Sequence, residues 1–162
     1  KTLLIMSSIF EASRSGDTEE LKKYISDKTN LNEADSRGYT ALILASYNNQ
    51  FQSVQLLLDA GAEINAADAG GNTALMGVSF KGYFDIAELL ISRGADLNLQ
   101  HGNGGTALMF AAIFGRNDLV ALLLKRGADK FITDNRGLTA TDHAVQQGNV
   151  EAVDMLEPET LP

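Results

Sequence analysis

The chain has 162 residues, of which 44% are hydrophobic and 21% charged, a composition typical of a single folded globular domain rather than a disordered protein. Its 13 Lys and Arg against 21 Asp and Glu give a formal net charge of −8, which argues against non-specific nucleic-acid binding and against attraction to an anionic membrane surface. Because the sequence contains no Cys, disulfide frameworks, thiolate zinc sites and cysteine nucleophiles are excluded.

The amino-terminal segment, residues 1–6, begins with a cation that is followed by a short apolar run. This run is too short for a transmembrane helix or for the apolar region of a signal peptide, and no small-residue cleavage motif follows it. We therefore expect Leu3, Leu4 and Ile5 to cover the exposed end of a hydrophobic core. The same observation favours a cytoplasmic protein, with a periplasmic or secreted protein as the alternative if a signal peptide is removed before residue 1.

A Thr-Ala dipeptide recurs through the rest of the chain at a constant spacing of 33 residues. The dipeptides begin at Thr40, Thr73, Thr106 and Thr139, and glycines keep the same step. Carrying the register back by 33 places the start of an earlier unit at Ser7. Repeats of this period indicate a stack of similar units whose apolar faces are covered by their neighbours. The predicted units span residues 7–39, 40–72, 73–105, 106–138 and 139–156.

Each unit has the pattern of two short helices, which the third unit illustrates. Thr73 is a predicted helix N-cap, because its hydroxyl can accept a hydrogen bond from an otherwise unpaired backbone N–H. A turn near Gly82 reverses the chain, and residues 86–91 then carry apolar side chains at the spacing of an amphipathic helix. Gly94 ends this second helix, since glycine adopts the left-handed conformation without a Cβ penalty. Tight turns such as the one at Asp68 connect successive units.

These motifs resemble those of ankyrin repeats. The resemblance rests on the 33-residue period and on Gly71-Asn-Thr-Ala-Leu-Met76, Gly82 and Leu89-Leu-Ile-Ser-Arg-Gly-Ala-Asp-Leu-Asn98, and it covers residues 7–156. It implies an all-α solenoid of five helix-turn-helix units joined by short hairpin-like turns. The family's usual Thr-Pro-Leu-His is Thr-Ala-Leu-Ile or Thr-Ala-Leu-Met in the second to fourth units, a variant similar to that of bacterial ankyrin proteins.

The first and last units depart from the repeat pattern. Lys28 stands where later units have the glycine that ends the second helix, and Thr141-Asp142 replaces an apolar pair in the fifth unit. Such departures are typical of terminal units with a solvated outer face. His101 replaces a turn Asp, and we expect it to cap that turn. We expect His143 to lie in the partly exposed carboxy-terminal cap.

No combination of side chains in the sequence forms a recognisable catalytic or metal site. The two histidines are 42 residues apart and lack the spacing of zinc ligands. The glycine-rich residues 102–105 are not followed by the Lys-Ser/Thr of a phosphate-binding loop, and no serine lies in a Gly-x-Ser-x-Gly motif. We therefore predict no cofactor, no metal and no enzymatic activity, with a shallow site at one of the histidines as the less favoured alternative.

The family resemblance implies a binding surface on the concave side, formed by the turn tips and the exposed face of each first helix. Positions one period apart form rows along such a stack. Large side chains on this surface suit interface anchors, although packing between adjacent helices is the alternative for Phe80, Ile113 and Phe114. The positions assigned to it include several basic residues and no Asp or Glu. The predicted partner-binding residues are Arg37, Tyr39, Tyr47, Asn48, Asn72, Phe80, Lys81, Ile113, Phe114 and Arg136.

We therefore predict a protein–protein interaction module, an adaptor or regulator that holds a partner protein in its concave groove. The aromatic and basic side chains there suit a partner with apolar and acidic side chains. A neutraliser or inhibitor of a partner enzyme is the alternative function. We expect a monomer that binds neither nucleic acid nor membranes, and self-association through the same groove remains open.

Overall fold

The computed structural model of the chain describes residues 8–158, so that Leu3, Leu4, Ile5 and Ser7 lie outside the described residues. Within them, regular secondary structure consists of ten short helices in five pairs, with two isolated antiparallel bridges in the turns. The predicted all-α solenoid is confirmed. None of these ten helices has the length and apolar character needed to cross a membrane. The helices are α1 (Ile9–Ser15), α2 (Thr18–Ser26), α3 (Ala41–Tyr47), α4 (Phe51–Asp59), α5 (Ala74–Lys81), α6 (Phe84–Ser92), α7 (Ala107–Ile113), α8 (Asn117–Lys125), α9 (Ala140–Gln146) and α10 (Val150–Leu156).

Each first helix begins at a hydroxyl side chain that accepts a hydrogen bond from the backbone N–H three residues later. In the four later units this N-cap is the Thr of the Thr-Ala pair, as predicted, with oxygen-to-nitrogen distances of 3.2–3.3 Å. In the first unit the N-cap is Ser8, which accepts from the Glu11 N–H at 3.1 Å. Helix α1 therefore begins one residue later than the 33-residue period predicts. Ser7 and Ser8 are both possible N-caps, so the sequence does not show at which of them the helix begins.

The helices form two layers around one continuous core. The first helices α1, α3, α5, α7 and α9 pack side by side, and each second helix packs against its own first helix and against its neighbours in the second layer. Alanines of the first helices, such as Ala45 and Ala111, are fully buried and permit this close approach. In the four later units each second helix contributes one fully buried leucine at the same position: Leu57, Leu90, Leu123 and Leu156.

The turns between units are held by their own polar side chains. The Asp68 carboxylate accepts hydrogen bonds from the N–H groups of Gly70 and Asn72, at 2.9 and 2.8 Å. The equivalent Asp of the first and fourth turns does the same. In the third turn, Nδ1 of His101 accepts from the Gly105 N–H at 2.9 Å, so the capping role predicted for this histidine is confirmed.

Successive turns stack closely on one another. Gly38 has a φ of +84°, and a Cβ added there would lie 2.6 Å from the Ala69 backbone nitrogen, so that only glycine fits this approach. Behind the turns, the side-chain oxygens of Asn32, Asn65 and Asn98 each accept an N–H from the following unit at 2.8–2.9 Å. These contacts fix the spacing between neighbouring units.

The prediction that His143 lies in a partly exposed cap is wrong. Its ring is only 6% exposed, and Nε2 lies 2.7 Å from the Asp134 carboxylate. The ring is buried because this position faces the preceding turn, like Phe110 and Leu44, which lie one and three periods earlier in their own units. At the end of the described stack the open position is Val145 instead, which is 61% exposed because no following unit covers it within residues 8–158.

Candidate protein-binding groove

The turn tips and first helices enclose two adjoining depressions on one side of the stack. The larger cavity, of about 770 Å³, includes six of the predicted binding residues in its lining: Arg37, Tyr39, Tyr47, Asn48, Asn72 and Phe80. A second cavity of about 420 Å³ includes three more: Ile113, Phe114 and Arg136. Because Phe110 lines both cavities, they form one surface, which we call the concave groove. Lys81 borders the groove, with Nζ 4.7 Å from the centre of the Tyr47 ring.

Three aromatic rings from successive first helices form a continuous row along the concave groove. Tyr47 and Phe80 are stacked with ring centres 6.3 Å apart and planes within 1°, and Phe80 meets Phe114 edge to face at 4.6 Å. Tyr47 and Phe114 are each 43% exposed, whereas Phe80 is half-buried between them. This aromatic row presents stacked apolar surface to solvent, the kind of feature that anchors a binding partner.

The predicted large side chains divide between core and surface. Tyr39 packs against the hydrophobic core, and so does Phe110, which the prediction did not include. Phe80 and Ile113 are half-buried but do not belong to the core cluster of the described residues. Phe80 contacts Phe114 and stacks with Tyr47 in the aromatic row, so we expect its removal to affect the groove more than the core.

The charges of the groove are less one-sided than the sequence indicates. Arg37 and Arg136 are exposed at the turn tips and form no salt bridge within residues 8–158. Arg14, however, pairs with Glu11 at 3.1 Å. The wall of the larger cavity also contains the carboxylates of Asp35 and Asp68, which were not among the predicted groove residues. Both carboxylates accept backbone N–H groups of their own turns but keep their negative charge, so the groove carries charges of both signs.

A family profile described as Ankyrin repeats (3 copies) matches residues 9–101 and 78–159, which together span most of the chain. The chain belongs to the ankyrin-repeat family. Ankyrin repeats are generally protein–protein interaction modules, and their fold is typically a non-enzymatic binding scaffold. A comparison with curated proteins gives no significant match.

Two predicted contact residues of this ankyrin stack also have local structural partners. The Asn48 side-chain amide donates to the Leu44 carbonyl at 2.8 Å, which closes the end of α3. The Asn72 amide donates to both carboxylate oxygens of Asp68, at 3.2 and 3.3 Å. The Asn72 amide is therefore already engaged, so a partner can reach this side chain mainly through its carbonyl oxygen, whereas Asn48 keeps one N–H donor and its carbonyl oxygen for a partner.

The His143–Asp134 pair is a largely buried polar contact beside the groove. Burial raises the pKa of the Asp134 carboxyl, but hydrogen bonds from the Leu138 N–H, the His143 ring and the Arg136 N–H, together with the charge of a protonated His143, lower that pKa below its usual value overall. Within residues 8–158, no group of three or more His, Asp or Glu side chains is arranged to hold a metal ion. The His143–Asp134 pair is a polar link between the fourth turn, which contains Asp134, and α9.

Sequence reasoning missed one position that shapes the groove. Residues 44, 77, 110 and 143 share one offset in four units and carry Leu, Gly, Phe and His. Their side chains face the groove, and Gly77 leaves the offset empty in the third unit. Aligning the units by their period could have revealed this gap, because a glycine in the interior of a helix weakens it and needs a reason.

Proposed function

We propose that this ankyrin-repeat protein is an adaptor or regulator that holds a partner protein in its concave groove. The observation that supports this most strongly is the aromatic row of Tyr47, Phe80 and Phe114. These rings form a row across three units, and the outer two are each 43% exposed. Exposed aromatic surface inside a concave depression is typical of the residues that dominate the free energy of protein association.

The charges of the groove favour a partner that carries both apolar and acidic side chains. Arg37 and Arg136 lie at turn tips on the larger and the smaller cavity respectively, where a partner would meet them first. The body of the protein carries a net charge of −8, so an acidic partner segment is attracted to the turn tips and repelled elsewhere. This arrangement orients a partner along the aromatic row.

The test compares affinity capture by the wild type, by the double variant Phe80→Ala/Phe114→Ala, and by Phe131→Ala. Phe131 is 73% exposed and lines neither cavity, which makes it a matched control for loss of an exposed phenylalanine. Proteins identified by mass spectrometry as captured by the wild type and the control, but lost with the double variant, are the expected groove partners. Each groove substitution should then weaken binding of such a partner by about 1–3 kcal/mol.

Unfolding of the three proteins by urea separates binding from folding. Because Phe80 and Phe114 lie outside the core cluster of the described residues, the double variant should lose little of its free energy of unfolding. If the double variant captures the same partners as the wild type, or if it unfolds while single variants bind normally, the groove is not the binding surface.

A further inference from the structure

The third unit lacks a side chain where the other units that line the groove have one. Leu44 is 6% exposed, and Phe110 is half-buried with its ring centre 5.1 Å from that of His101. In the fifth unit, His143 fills the same offset and contacts the turn before it. At Gly77 the corresponding space is open to the larger cavity.

The space in front of Gly77 has defined walls. A Cβ added at this residue would find one protein atom within 4 Å, Cδ2 of Tyr47 at 3.3 Å. The lining of the cavity that includes Gly77 combines the apolar side chains of Met76, Phe80 and Phe110 with polar groups of the turns, such as Asn72. We call this space the Gly77 pit.

The Asp68 carboxylate is less available to an occupant of the Gly77 pit than the Asp134 carboxylate is to His143, because the Asn72 amide already donates to both Asp68 oxygens. Asp68, which is the turn residue nine positions before Gly77, already accepts two backbone N–H groups and the Asn72 amide. In the fifth unit, by contrast, the equivalent carboxylate of Asp134 binds the His143 ring. The pit therefore favours an apolar side chain, and the sizes of Leu44 and Phe110 at the same offset indicate the volume that the fold accommodates.

We propose that the Gly77 pit receives one leucine- to phenylalanine-sized side chain from a partner peptide segment, and that an Asp or Glu near this side chain pairs with Arg37. Arg37 lines the same cavity, is exposed, and forms no salt bridge within the part of the chain that the structure describes. The side chain of the partner thus occupies the position beside Gly77 that is filled by Leu44 in the second unit and by Phe110 in the fourth. This proposal rests on the proposed function of the concave groove.

The experiment selects phage-displayed random twelve-residue peptides on the immobilised wild-type protein. Affinities of the selected peptides are then measured for the wild type, Gly77→Leu, Phe80→Ala and Phe51→Ala. Gly77→Leu introduces the residue that the second unit carries at this offset and fills the pit; because its Cβ would lie 3.3 Å from Cδ2 of Tyr47, the Tyr47 ring must shift by a few tenths of an ångström to admit it. Phe51 is exposed on the second helix layer, outside the concave groove, and serves as the control.

We expect the peptides to share one large apolar residue with an Asp or Glu within a few positions. Gly77→Leu should weaken their binding at least tenfold, and Phe51→Ala should change it less than twofold. Replacing the apolar peptide residue by Ala should weaken binding to the wild type much more than binding to Gly77→Leu, because only the wild type offers the pit.

Two outcomes overturn the proposal in different ways. If Phe80→Ala weakens binding and Gly77→Leu binds within twofold of the wild type, the pit is not used, although the groove is. If neither variant weakens binding, the proposed function of the groove fails as well. Circular dichroism and thermal unfolding check that Gly77→Leu is folded, and Gly77→Ala, which removes a helix-weakening glycine, provides a second variant with a partly filled pit.

Discussion

The charged residues of the groove differ in how their charges are compensated. Asp35 and Asp68 bind the backbone of their own turns, and Arg14 pairs with Glu11 on the same helix. Arg37 and Arg136 are exposed and have no such partner among the described residues. Together with Lys81 at the border of the groove, these two guanidinium groups are therefore the cations that a partner can use, both for attraction at a distance and for contact.

Reversing both charges should slow partner association. In the double variant Arg37→Glu/Arg136→Glu, the association rate with a captured partner should fall about tenfold at low salt, because electrostatic steering of an acidic segment is lost. The rate should also depend less on ionic strength, which stopped-flow measurements at several salt concentrations would reveal. Lys125→Glu/Arg126→Glu makes the same change of net charge at the end of α8, outside both cavities of the groove, and is the control. A salt dependence identical to that of the wild type would contradict the proposed acidic partner chemistry.

His143 illustrates a limit of sequence reasoning for single residues. Its place in the last unit indicated exposure, yet burial depends on which face of α9 the residue occupies rather than on its unit. The offset of His143 faces the preceding turn, which is present in every unit, whereas the offset of Val145 faces a following unit. Only the packing of the stack distinguishes these two faces.

At the scale of the elements, asparagine side chains behind the turns link neighbouring units through hydrogen bonds. Asn32, Asn65 and Asn98 repeat at the 33-residue period, and each bonds the backbone of the following unit. The next position in the series is Phe131, which is 73% exposed and has no side-chain acceptor to offer. The asparagine series therefore links the first four units, and the last junction is held by other contacts, including the His143 ring.

Asn98→Ala should remove one of these links between units. We expect its free energy of unfolding to fall by about 0.5–1.5 kcal/mol, since the Asp129 N–H loses its protein acceptor. Urea unfolding followed by circular dichroism measures this change. Asn103→Ala alters an exposed turn asparagine whose side chain makes no hydrogen bond within residues 8–158, and it should be nearly neutral. Equal stability of the two variants would show that the asparagine series does not hold the units together.

The positions of the helices were largely predictable because they depend on local chemistry. Thr N-caps, turn carboxylates and glycines with positive φ each specify a local conformation, and the 33-residue period repeats that information. The exact start of α1 was not predictable, because two adjacent serines can both act as caps. The prediction also missed that Asp35 and Asp68 line the groove. It assigned these residues to the turns only, but a carboxylate that holds a turn can also lie at the cavity surface.

At the scale of the whole molecule, parallel stacking turns sequence offsets into rows on one surface. Tyr47 and Phe80 are one period apart and their rings stack, while Phe114 joins the row from the residue that caps the end of α7. The period alone predicts the pairing of Tyr47 with Phe80; it puts Ile113 rather than Phe114 at the next place. The Gly77 pit was not predictable, since a missing side chain becomes a cavity only when the neighbouring rings are in place.

The central claim is that partners bind the concave side of this stack. It is tested most directly by mapping backbone amide chemical shifts of the isotope-labelled protein while adding a captured partner or a selected peptide. We predict that the largest changes fall in the turns and first helices of the second to fourth units, including the amides of Tyr47, Gly77 and Phe114. Changes concentrated in α4, α6 and α8, with these three amides unmoved, would contradict the account.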